Sequence, residues 1–351
     1  MNPFLKYKGI RLNGRFIQFS ELNKPDGTDL FETEVISYCR QLFDENEITA
    51  IQSSGSTGKP KVMEFQKSAL IQSASATNTY FGLNHTGKAL LSLPLAYVAA
   101  KLMVVRAIIG GFNLKTVTPT TNPLKDVIEP ISFVPMTPHQ VQSVLTESTE
   151  AFANIQTVLL GGGEVSLELK KQLETLSPTF YVGFGMAETL THFALSKING
   201  ENETIYEALP DVAIGQDERG CLTISRPGIT DGKLLTNDLI ELTTTGFKWL
   251  GRIDNLINSG GLKIIPEEVE KVLKPQIDSN FFVAGIPDSV LGQKGVLFIE
   301  GEEQPDLIKV CFPKGYQRPK AIINLEKFLY TASGKVRRKK TVENWLDATD
   351  G

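Results

Sequence analysis

The chain has 351 residues, of which 41% are hydrophobic and 22% charged, with a net charge of −4. That balance belongs to a soluble globular protein with room for two domains. It gives no general attraction to nucleic acid or to anionic membranes. No apolar run approaches the ~20 residues that span a bilayer, and the opening MNPFLKYKGIRLNG lacks the apolar core of a secretory signal. Cys39, Cys221 and Cys311 stand far apart without a CxxC, which fits a reduced, cytoplasmic setting. His85, His139 and His192 show no HExxH spacing, so no zinc site is expected.

In chain order, an apolar approach through Ile48, Ala50 and Ile51 leads into SSGSTGKPK. KALLSLPL, AAKLMVVRAIIGG and NLKTVTP then read as strand, helix and strand, and IQTVLLGGG, SLELKKQLETL and TFYVGFG repeat that alternation. Strand, glycine turn and helix in succession predict an α/β chain with largely buried sheets. Near residue 250 the pattern changes. KWLGRIDNLINSGGLKI predicts a strand and a polar turn, and Pro266 with Glu267 and Glu268 suits a helix start. Val269, Val272 and Leu273 give that helix one apolar face. NFFVAGIP and IKVCFP are expected as strands, and INLEKFLY as a helix running into a loop. Residues 1–251 thus form a large α/β domain and 252–351 a small α+β domain, with the polar stretch Arg252–Asn255 as hinge.

The loop SSGSTGKPK concentrates phosphate-binding groups: Ser53, Ser54, Gly55, Ser56, Thr57, Gly58, Lys59 and Lys61. It is not the common GxxxxGK[ST] loop. Ser53 stands where the first glycine is required, and Pro60 where the magnesium-binding hydroxyl belongs. Pro60 also disfavours helical geometry at Lys59. Backbone N–H groups, hydroxyls and two lysines remain suited to a polyphosphate.

SSGSTGKPK resembles the phosphate loop of the adenylate-forming superfamily of acyl-CoA synthetases, peptide-synthetase adenylation domains and luciferases. Six more segments follow in that family's order, through residue 340. LPLAY is similar to the aromatic gate, with Tyr97 beside the acyl pocket. Gly161, Gly162, Gly163 and Glu164 resemble the strand-to-helix turn that lets adenine approach the backbone. GFGMAET resembles the YGMTET motif, which implies Glu188 as the Mg²⁺ ligand, Thr189 on the α-phosphate, and Phe184, Gly185 and Met186 along the nucleotide. Phe184 and Ala187 depart from the usual Tyr and Thr. LLTND resembles the usual TGD and implies Asp238 as acceptor for the ribose hydroxyls. GRIDNLINSGGLKI is similar to the hinge segment: Arg252 on ribose or phosphate, Asp254 at the hinge, and Gly260, Gly261 and Lys263 along the pantetheine path. TASGKVRRKK carries the family's C-terminal lysine at Lys335.

The implied enzyme uses ATP, Mg²⁺ and CoA in two steps: a carboxylate is adenylated, and a thiol then displaces AMP. Positioning and charge stabilisation carry the first step. About 50 residues precede the phosphate loop, fewer than this family usually has, so a reduced N-terminal portion is expected. The short chain and LPLAYVAAKLMVVRAIIGG resemble the compact bacterial o-succinylbenzoate–CoA ligases of menaquinone biosynthesis. That acid keeps a second carboxylate, which needs a cation or several donors once buried. Lys101 and Arg106 are candidates, but at five residues apart they do not share a helix face. Thr191 and His192 are further pocket candidates. Other readings stay open at this point: another aryl- or acyl-CoA ligase, an enzyme loading a carrier protein, or a non-catalytic nucleotide-binding relative.

Overall fold

The computed structural model describes residues 1–22, 27–52, 62–200, 203–331 and 335–349. The phosphate-loop residues Ser53 to Lys61 lie outside the described residues, between the paired strands Ile48–Gln52 and Val62–Gln66. The α-helices among the described residues are α1 (Leu30–Phe43), α2 (Lys67–Phe81), α3 (Val98–Gly110), α4 (Pro138–Glu147), α5 (Leu167–Leu173), α6 (Pro266–Leu273) and α7 (Arg338–Thr349).

A nine-stranded sheet carries most of the large part of the chain. Its parallel end is built from Val134–Met136, Thr157–Leu160 and Thr179–Gly185. Antiparallel strands continue it through His192–Lys197 to Phe247–Arg252 and beyond. A four-stranded sheet joins it through a parallel bridge from Ala89 to Phe133. Strand–helix alternation is therefore where the sequence placed it, on a mixed rather than uniformly parallel sheet. The two middle parallel strands end on the same edge. That edge carries Gly161–Glu164 and Met186–Thr189, as expected where ligands meet the carboxyl ends of strands.

α3 is apolar on nearly every side, with Leu102, Met103, Val104 and Val105 fully buried. A helix of that composition belongs in a core. Its C-terminus closes on Gly111 in the left-handed conformation (φ +67°), whose N–H returns to the carbonyl of Ala107 at 2.9 Å. Burying this helix leaves no polar surface for Arg106, which is 1% exposed.

In the smaller C-terminal sheet, Gly292–Glu300 lies between Phe281–Asp288 on one edge and Ile257–Ser259 and Ile322–Leu325 on the other. α6 starts at Pro266 as expected, with Glu267 and Glu268 in its first turn and Val269 and Leu273 buried. Two expectations fail here. Ile308–Pro313 forms no strand but turns and irregular chain, its apolar Val310 and Phe312 anchoring a loop. INLEKFLY is not helical, because Ile322–Leu325 finds a free parallel edge on Gly292–Glu300. Sheet pairing overrides the local helical pattern.

Gly185 shows how tightly the site edge is packed. A Cβ there would sit 2.4 Å from the carbonyl oxygen of Thr191 and 2.5 Å from Cα of His192. Both neighbours are backbone and cannot rotate away. Gly185→Ala is expected to cost about 3 kcal/mol, the upper end of overpacking penalties. A shift in the denaturant midpoint measures it, and an unchanged midpoint would show that the strands separate freely.

Candidate functional site

The strand Thr179–Gly185 delivers the chain into a short 3-10 turn, Ala187–Thr189. The turn projects Glu188 into solvent and buries Thr189 completely. The Thr189 hydroxyl is occupied by the loop itself. It donates to the carbonyls of Met186 (3.0 Å) or Thr191 (2.8 Å) and accepts from the N–H of Met186 (3.2 Å). Thr189 thus ties the loop together through its own backbone. Leu190, next in line, adopts φ +66° and is fully buried. A positive φ at a bulky residue is strained, and the surrounding packing must enforce it.

Asp238 and Arg252 face each other across the antiparallel ladder of Lys233–Leu242 and Phe247–Arg252. Asp238 is buried and accepts from the indole N–H of Trp249 at 3.0 Å. Burial pushes its carboxyl above the usual carboxylate range. The Trp249 bond and the Arg252 guanidinium pull it down, while Asp254 and Glu188 add repulsion. Glu188, Asp238, Arg252 and Asp254 therefore share one electrostatic neighbourhood. Arg252 grips Asp254 through Nη2 (2.6 Å) and Nε (3.2 Å), and the side-chain amide of Asn237 donates to Asp254 at 3.0 Å. Sequence reasoning missed Trp249, and the indole next to GRID was its only signal.

Phe184 is half-buried in an aromatic group, 5.7 Å from Phe193, 5.0 Å from Tyr206 and 5.3 Å from Phe247 between ring centres. Burial, and then the nearby charge of Glu164, push the Tyr206 phenol up to about 12. The Gly161–Glu164 turn therefore borders the same aromatic wall. Gly162 has φ +81°, and a Cβ on Gly161 would meet nothing within 4 Å, so the turn presents open backbone. Met186, partly buried, packs against this wall too.

Arg106 and Lys101 leave α3 in different directions. Lys101 is half-buried, with its Nζ over the Tyr38 ring on α1 at 5.5 Å. Arg106 reaches the sulfur of Met103 at 3.3 Å and the hydroxyl of Thr191 at 3.5 Å, and its Nε has no partner among the described residues. Burial, then the charge of Arg226, brings its guanidinium down to about 9. His192 is buried beside it, with Nδ1 3.2 Å from the Thr191 hydroxyl and Nε2 3.3 Å from the Thr77 hydroxyl. Burial and the nearby arginines hold this imidazole well below its usual range, so it is neutral at physiological pH. Arg226 was missed by sequence reasoning, since a lone arginine in ISRPGIT has no motif. Tyr97, the residue preceding α3, is 46% exposed.

The structure does not bring every predicted residue to this edge. Gly260 and Gly261, at φ +57° and +82°, form the two-residue turn between Ile257–Ser259 and Leu262–Ile264. Lys263 is exposed on the second of those strands. Lys335 is exposed, and its hydrogen bonds run through its backbone to Thr331 (3.0 and 2.8 Å). Among the described residues, no hydrogen bond or ion pair links Lys335 to Glu188, Asp238 or Arg252. No described helix is long and apolar enough to cross a membrane.

Known proteins share this architecture and sequence. A 2-succinylbenzoate–CoA ligase of Listeria monocytogenes serotype 4b is 30% identical over 336 residues, covering 84% of this chain and 69% of that protein. Its counterpart from serovar 1/2a is 29% identical, covering 94% of this chain and 76% of that protein. An acyl-CoA synthetase (AMP-forming)/AMP-acid ligase II-like protein from Dyadobacter fermentans superposes with a TM-score of 0.63 at 32% identity, over 93% of this chain and 97% of that one. The O-succinylbenzoate coenzyme A synthetase of Bacillus subtilis, solved with ATP and magnesium, shares the fold at a TM-score of 0.73 and 22% identity, over 84% of this chain and 69% of that one. The family model for AMP-binding enzymes matches residues 21–217, more than half of the sequence, and on that match the chain belongs to the AMP-binding enzyme family.

Proposed function

We propose that the protein is an ATP-dependent acid–CoA ligase that converts o-succinylbenzoate to its CoA thioester through an acyl-adenylate. The names and identities of its relatives support the reaction class. The observation that carries the choice of acid is Arg106, a fully buried cation with no carboxylate partner among the described residues. A substrate keeping one carboxylate while the other is activated supplies that partner.

In this reading the succinyl carboxylate attacks the α-phosphorus of ATP and pyrophosphate leaves. The CoA thiol then attacks the activated carbonyl and AMP leaves. Ser53 to Lys61 hold the phosphates. Glu188 is an exposed carboxylate suited to Mg²⁺, which takes one or two carboxylates plus phosphate oxygens rather than an all-protein cage. Mg²⁺, when bound, offsets phosphate charge. Asp238 accepts from the ribose hydroxyls, oriented by Trp249, and Gly161–Glu164 with Phe184 border adenine. Lys335 supports adenylation, and Gly260, Gly261 and Lys263 serve the thioester step after residues 252–351 turn against residues 1–251 about Asp254.

AMP release with ATP, Mg²⁺ and CoA tests the assignment, with o-succinylbenzoate compared against benzoate, 4-phenylbutyrate and octanoate. Turnover confined to o-succinylbenzoate is expected. Turnover with another acid alone would keep the ligase and discard the acid. The hinge has its own test. Asp254→Pro fixes the backbone and removes the bonds to Arg252 and Asn237. The thioester step should slow roughly tenfold or more, and adenylation much less. Equal loss in both half-reactions would count against the rotation.

A further inference from the structure

Arg226 is fully buried directly after the strand Cys221–Ser225. Its Nε and Nη2 donate to Asp211 at 2.9 and 3.3 Å, and its Nη1 has no partner among the described residues. Two contacts pin this stretch to α2. The Gln72 amide donates to the carbonyl of Pro227 at 2.7 Å and to Asp211 at 3.5 Å. At Gly228 (φ +81°), a Cβ would sit 2.4 Å from the Gln72 side-chain oxygen. The same helix supplies Thr77 to His192 and Asn78 to the carbonyl of Arg106 (2.9 Å). Arg226 is near enough for its charge to act on both Arg106 and His192, and all three are buried against α2.

The charges there do not balance. Of the two fully buried guanidiniums only Arg226 has a carboxylate partner, Asp211, which is itself only partly buried, and Arg106 has none among the described residues. Arg106 Nε, Arg226 Nη1, Ser73 Oγ and Asn78 Oδ1 all lack partners among the described residues. His192 adds no negative charge. Buried ions without partners are costly, and a fold retains them where a ligand supplies the missing charge.

We propose that Arg226 is a specificity-positioning residue: with Arg106 it makes the acid pocket select a substrate that carries a second carboxylate. Asp211 holds the guanidinium in place, and Arg226 acts on the substrate through Arg106, keeping that cation short of counter-charge until the acid arrives. The inference rests on the dicarboxylate reading of the site.

The test compares kcat/KM for o-succinylbenzoate with that for 4-oxo-4-phenylbutanoate, the same acid without its ring carboxylate, in wild type, Arg226→Gln and Arg226→Lys. Wild type should prefer the dicarboxylate. Arg226→Gln should lower that preference about tenfold or more, through KM for the dicarboxylate rather than kcat, and Arg226→Lys should restore part of it. A preference unchanged in Arg226→Gln, including a parallel loss on both acids, overturns the role of Arg226 and leaves the substrate reading intact. A wild type without the preference overturns both. If Arg226→Gln does not fold, Arg226→Lys decides: a lowered preference supports the role and an unaltered one refutes it.

Discussion

Replacing Lys335 with alanine is expected to slow acyl-adenylate formation by about 10²–10³-fold, the usual consequence of losing one preorganised donor to developing charge. The thioester step, started from preformed acyl-adenylate, should change far less. The structure makes this a clean experiment. The side chain is exposed, and the hydrogen bonds to Thr331 belong to the backbone, which alanine keeps. Exposed substitutions of this kind leave stability within about 0.5 kcal/mol. A slower reaction therefore reports chemistry rather than unfolding. Pyrophosphate exchange measures the first half-reaction, and single-turnover thioester formation the second. An unchanged exchange rate would remove Lys335 from the mechanism. Equal losses in both would remove its restriction to one step.

The second large effect concerns Arg106. Arg106→Met is expected to stabilise the fold while disabling selection of the dicarboxylic acid. No carboxylate among the described residues pairs with this guanidinium, so its removal orphans no acid. Its backbone carbonyl still accepts from Asn78. Methionine fits the apolar surroundings of α3, and replacing a buried charge with a hydrophobe of similar volume stabilises by about 1–3 kcal/mol. Turnover of o-succinylbenzoate should fall about 10²–10³-fold, since a desolvated carboxylate would lose its cation.

The pH dependence has a definite sign. Burial, and then the charge of Arg226, hold the Arg106 guanidinium below its ordinary value in the folded chain. Between those two pKa values the unfolded chain binds more protons, so wild-type stability rises with pH there. The variant's advantage should hold from pH 6 to 8 and shrink above about 9. Thermal unfolding across that range measures it. A less stable variant would show that Arg106 has a structural partner, and undiminished turnover would show that it does not meet the substrate.

Much of this protein was legible in its sequence, for local physical reasons. Pro266 and the acids after it dictate a helix start, and the run around Met103 a helix. The order of the motifs resembled one family closely enough to name it, and the AMP-binding family match over residues 21–217 bears that out. The sequence was silent wherever the deciding neighbour lies far along the chain. Ile322–Leu325 became a strand because Gly292–Glu300 offered an edge. The Thr189 hydroxyl is held within its own loop, by the carbonyls of Met186 or Thr191. Lys101 and Arg106 carry the same charge on the same helix, and the sequence left open which of them enters the pocket. Tertiary packing separates them: Lys101 rests on the Tyr38 ring, while Arg106 is enclosed with Met103, Thr191 and His192 because α3 is buried on nearly every side.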